Sequence, residues 1–197
     1  FAFSHPFMKH PLFPKITIVL LALLVAVHSV AQAQKADEHL RKGEELAGRG
    51  QWKEAEEHLR VYLAADPKSA RAVVLHARAL IILNQPFDAA LELEALLKTS
   101  PDDVPALKLY AALLDAVIQD DAKAEAVLKR ASTLAPGDLE VWQALGHHFI
   151  AVRKIEEAIR SFTEAVKLAP SNASLLAGLA SAYSLAGERV KADATFA

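Results

Sequence analysis

Two kinds of hydrophobic pattern divide this 197-residue chain. Ile16 to Val27 is an unbroken run of apolar residues and one Thr, ended by His28-Ser29. From Lys35 onward apolar residues instead recur every three or four positions, the signature of helices with one buried stripe. Trp142, Leu145 and Phe149 mark such a stripe, and Phe162 with Ala165 marks its facing partner. Turns are expected where helix formers give way to breakers, at Gly50, Asn84-Gln85-Pro86 and Gly187. Asp66-Pro67 and Ala169-Pro170 should end helices, because proline cannot continue one. Asp138 and Asn172 follow such prolines and are suited to cap the next helix.

The helical part repeats. Prolines fall at Pro67, Pro101, Pro136 and Pro170, spaced 34, 35 and 34. Small residues at Gly43, Ala77, Ala111, Gly146 and Ala180 keep the same period. So does a second series, Ala55, Ala89, Ala124, Ala158 and Ala192. A single one-residue slip between Ala111 and Ala124 accounts for every spacing of 35. That extra residue, near Gln119-Asp120-Asp121, is expected to lengthen a turn between helices.

The unit Leu139 to Pro170 carries Trp142, Leu145, Gly146, Phe149, Ala158, Phe162, Ala165 and Pro170. In order and spacing it resembles the tetratricopeptide repeat family. The resemblance spans about 36–197 and implies an all-α, right-handed solenoid of antiparallel helix pairs. Its units would be about 36–69, 70–103, 104–138, 139–172 and an incomplete 173–197. Small residues then sit where two helices approach closely, and stacked units share one core. The first unit departs from the pattern, with His39 in the aromatic slot and Tyr62 in place of the later alanine.

The resemblance also implies where a partner would bind. Concave-face positions fall at Arg71, Arg78, Lys108, Gln143 and His147, with Glu44, Asp115, Glu140, Ser174 and Ser181 nearby. Arg71, Arg78 and Lys108 could form a cationic stripe for an acidic peptide or a terminal carboxylate. The basic-and-asparagine clamp of the family's chaperone adaptors is not matched: the corresponding positions hold Leu40, Glu44, Val74, Arg78, Lys108 and Ala112.

Charge gives the first 33 residues their own character. All 24 acidic residues lie after Ala33, and the only Lys or Arg before it are Lys9 and Lys15. A basic flank, a short apolar core and Ala31-Gln32-Ala33 together read as a secretory signal peptide over 1–33, started at Met8 and cut after Ala33. The competing reading is a membrane anchor through 16–32, although the run is shorter than the roughly 20 residues a span needs. The first reading places the protein outside the cytosol, secreted or periplasmic, with membrane contact only through an uncleaved leader.

Composition narrows the chemistry. A formal net charge of −2 offers no broad basic surface for nucleic acid, and with no cysteine there is no disulfide, thiolate metal site or thiol nucleophile. Past the leader the histidines are His39, His58, His76, His147 and His148. None pairs with another at the i, i+4 spacing of a helical metal site, and adjacent His147-His148 point about 100° apart. Glu56-Glu57 and Glu156-Glu157 open second helices, where acidic side chains suit the helix dipole. No catalytic residue, cofactor or metal is expected. The expected function is a non-catalytic scaffold taking a protein or peptide in its groove and serving envelope, secretion or assembly processes. The alternative is the targeting region of a larger enzyme or export pore, since the repeat pattern breaks off within the fifth unit.

Overall fold

The structure, a computed structural model, describes residues 13–195, with side chains from 32 onward and at Leu21, Leu24 and Val27 before that. The expected start at Met8 lies outside them. Ten helices account for the described chain: α1 (Phe13–Gly48), α2 (Trp52–Ala65), α3 (Ala70–Ile82), α4 (Pro86–Thr99), α5 (Val104–Leu113), α6 (Asp121–Leu134), α7 (Leu139–Ala151), α8 (Ile155–Leu168), α9 (Ala173–Leu185) and α10 (Arg189–Ala194). They fall into two compact units, residues 1–67 and 68–197.

In the first unit α1 packs against α2. α1 runs without a break through Ala31-Gln32-Ala33, so the change from apolar leader to amphipathic repeat is not marked by a change of backbone. No helix among the described residues is long and apolar enough to cross a membrane. In the second unit each odd-numbered helix pairs with its successor: α3 with α4, α5 with α6, α7 with α8, α9 with α10. The next pair stacks through α4 on α5, α6 on α7 and α8 on α9.

The caps follow from the sequence. Asp138 accepts from the Glu140 N–H at 2.9 Å, and Asn172 from the Ser174 N–H at 3.0 Å. Asp103 and Asp120 do the same for α5 and α6, accepting from the N–H groups of Ala106 and Lys123. Each cap satisfies a donor that the first helical turn leaves unpaired.

Turns within the helix pairs share one closure. A residue with positive φ (Gly50 at 74°, Asn84 at 63°, Arg153 at 61°, Gly187 at 80°) turns the chain out of the first helix. The next N–H then returns to a carbonyl five residues back, Gln85 to Leu80 and Lys154 to Phe149 at 2.8 Å each. This is a left-handed C-terminal cap, which glycine adopts at least cost and asparagine next. The third pair differs. Gln119 takes the positive φ, 60°, but the returning bond runs from Asp120 to Leu114, six residues back. The sequence expectation that the extra residue lengthens the turn does not hold. That residue is absorbed upstream as a π-helical turn over Leu114–Ile118, which keeps the closure and rotates the end of the helix.

The core confirms the small-residue register. Ala55, Ala77, Ala89, Ala124 and Ala158 are wholly buried, and Ala111 nearly so. A Cβ on Gly146 would lie 2.6 Å from Cε2 of Phe162, inside its van der Waals envelope. Gly178 lies against the same ring: a Cβ there would stand 2.7 Å from its Cζ. Phe162, fully buried, is thus held between glycines of two successive repeats. In the first unit Gly43 does the equivalent for Leu59, where a Cβ would come within 2.8 Å of Cγ.

Candidate functional site

Of the residues expected on a binding face, Glu44 lies on α1 in the first unit and Asp115 in the π-helical turn; the others lie on α3, α5, α7 and α9, the first helices of successive pairs in the second unit. Arg71 and Arg78 are both exposed on α3. Seven residues apart, they share a helix face about two turns from each other. Lys108 on α5 is partly buried and reaches forward rather than back. Its ammonium meets Asp138 at 2.8 Å and Glu140 at 2.6 Å. Burial works against its charge, but the hydrogen bonds to Asp138 and Glu140 outweigh that and raise its pKa. For Asp138 burial likewise opposes the charge, and the Lys108 ammonium prevails, holding the carboxyl below its ordinary range. Lys108 is therefore neutralised by the next repeat, while Asp138 both caps α7 and ties it to α5.

Further along, Gln143 on α7 donates to Ser174 Oγ on α9 at 3.4 Å. His147 is exposed and sits edge-on to the Phe162 ring, centroids 5.2 Å apart. Ser181 is exposed as well. The face therefore changes along its length. It begins with exposed arginines on α3, passes an internally compensated charge cluster at α5 and α7, and ends in uncharged polar groups on α7 and α9.

Several polar features fall outside what pattern reasoning places. His148, its side chain only 1% exposed, bonds through Nδ1 to Asp115 Oδ1 at 2.8 Å. Asp115 was expected on the binding face; the π-helical turn carries it to His148 instead. His148 Nε2 has no hydrogen-bond partner among the described residues and lies 3.9 Å from Glu125 Oε2. Glu125 takes both Lys129 and Lys154 at 2.6 Å, and their ammonium groups hold its carboxyl down at about 2. His76, also buried, meets Glu92 at 2.8 Å. His39 and His58 face each other across α1 and α2, Nδ1 to Nδ1 3.0 Å. No group of three or more metal-ligating side chains converges among the described residues. A groove of about 600 Å³, between α6 and α8, is floored by Trp142, Leu145 and Phe149 and rimmed by charges of both signs.

Stacked antiparallel helix pairs with small residues at each crossing define a helical-repeat protein. Residues 46–114 match the family model for the tetratricopeptide repeat, a match that ends where the π-helical turn begins. Over those residues the chain carries the tetratricopeptide repeat pattern. A solved structure of MamA is similar over 83% of this chain and 89% of that one, with a TM-score of 0.74 and 18% identity. MamA 41-end from Desulfovibrio magneticus RS-1 gives 0.75 and 22%, over 82% and 91%. Pseudomonas aeruginosa pilF gives 0.73 and 24%, over 84% of this chain and 75% of that one. At such identities the likeness carries the fold. No curated protein sequence matches the chain significantly.

Proposed function

We propose that this chain is an exported, non-catalytic scaffold that holds a protein segment along the exposed face of its first helices. The observation that carries the reading is the graded face from Arg71 and Arg78 to Gln143, His147 and Ser181, presented by successive helices. Because Lys108 is already compensated by Asp138 and Glu140, Arg78 is the better-placed cation for an acidic residue or terminal carboxylate of the partner. Export rests on the leader pattern alone: a basic flank, the apolar run Ile16 to Val27 and Ala31-Gln32-Ala33. Envelope, secretion or assembly processes are the setting this combination suits.

Arg78→Glu is the direct test. It should weaken capture of the partner at least tenfold while leaving helical content unchanged. Undiminished capture removes the arginine end of the face from the account. Mass spectrometry of the mature N-terminus tests export: a chain beginning at Gln34 supports it, and one retaining Ile16 to Val27 overturns cleavage.

A further inference from the structure

His39 and His58 are nineteen residues apart in sequence, on helices that run antiparallel within the first compact unit. What brings them together is the close approach at Gly43 and Leu59. His39 lies one turn before Gly43 on α1, and His58 immediately precedes Leu59 on α2. Their Nδ1 atoms are 3.0 Å apart, their ring centroids 5.0 Å, and their planes are inclined by 41°. Both side chains are partly exposed, so the gap between them is open to small solutes.

The two distances agree with a shared metal ion. Imidazole nitrogens bind first-row divalent metals at about 2.0–2.1 Å. A nitrogen separation of 3.0 Å then corresponds to an angle at the metal of about 95°, the cis positions of a tetragonal Cu²⁺ or Ni²⁺ site. Two rings set at that angle on such an ion would have centroids about 4.7 Å apart, within a few tenths of an ångström of the observed 5.0 Å. We propose that His39 and His58 form a two-imidazole chelate for a divalent transition metal of the copper–nickel class, which pins α1 to α2. Water completes the coordination, since no third protein ligand converges among the described residues. Affinity follows the usual order for nitrogen ligands, with Cu²⁺ first and hard cations such as Mg²⁺ ignored. The site belongs to the first unit and does not depend on the role of the first-helix face in the second.

The test is titration of the full chain with CuCl₂, following affinity and the nitrogen couplings in the electron paramagnetic resonance spectrum. The expected result is one site with two nitrogen couplings. His39→Gln and His58→Gln should each lower its affinity tenfold or more, and the double variant should be no weaker than either single, because one imidazole alone is no chelate. Histidines of the leader remain in every variant, so their background is common to all. Affinity unchanged within twofold in either single variant overturns the proposal and leaves an ordinary imidazole–imidazole hydrogen bond. The unmodified chain provides a second reading that needs no variant to fold. Substoichiometric Cu²⁺ should broaden the ring resonances of His39 and His58 together, before those of exposed His147. Broadening of His147 first counts against the site.

Discussion

Phe162 and His148 are both buried where one repeat meets the next, and they are held by opposite means. Phe162 fits by size, its ring lying between Gly146 of its own repeat and Gly178 of the following one. His148 is held by hydrogen bonding, with Asp115 Oδ1 2.8 Å from Nδ1 and Glu125 Oε2 3.9 Å from Nε2. The first contact recruits only atoms that want to leave water. The second takes polar groups out of water and must satisfy each of them, which it does for Nδ1 and not for Nε2. A repeat protein can thus join its units by shape at one junction and by a specific polar link at another.

Truncating the ring should break the apolar junction most severely. Phe162→Ala is expected to cost about 3–5 kcal/mol, read by denaturant unfolding, because two glycines cannot collapse into the space left. A loss below 1 kcal/mol would mean the ring is not clasped as described. At the polar junction, Asp115→Ala should cost about 1–3 kcal/mol, since it leaves the His148 Nδ1 buried without a partner. Adding His148→Leu should recover most of that loss, because removing both partners leaves no orphan; a double variant as unstable as the single contradicts the pairing.

Acid probes the same junction more gently. Glu125, held at about 2 against an ordinary 4.5, contributes stability that is fully present above pH 4.5. That contribution is lost as pH falls from 4.5 toward 2. Glu125→Gln should flatten this part of the stability profile, and an unchanged acid limb would deny the link to Lys129 and Lys154. The smallest effect is expected at the surface pair of Arg130 and Asp102, 2.6 Å apart and exposed on both sides. Arg130→Ala should cost about 0–1 kcal/mol, less at high salt.

The contrast also explains what the sequence made legible. The Gly146 and Ala158 series follow from a steric demand repeated in every unit, so a period of 34 exposes them. Caps at Asp138 and Asn172 and turns at Gly50 and Gly187 are local and read from neighbouring residues. Gly178 lies outside the period-34 series, and only packing shows that it closes on Phe162. The slip near Gln119 was visible, but its resolution was not. A turn and a π-helical segment both accommodate one residue, and only the preserved closure at Asp120 selects the second. That choice sends Asp115 to His148, a destination no spacing encodes. His39 and His58 escaped for a related reason. Their pairing runs across two helices, whereas ligand spacing is legible in sequence only along one. Lys108 was placed on the right helix, yet its partners Asp138 and Glu140 belong to the next repeat.

The proposed binding of a partner along the first-helix face is open to a direct comparison of two surfaces. Photo-crosslinking side chains placed singly at position 78 on α3 and position 160 on α8 compare the two exposed faces directly. Partner adducts from position 78, with none from 160, are the predicted result. Adducts from 160 and none from 78 would contradict the account and move binding to the second helices.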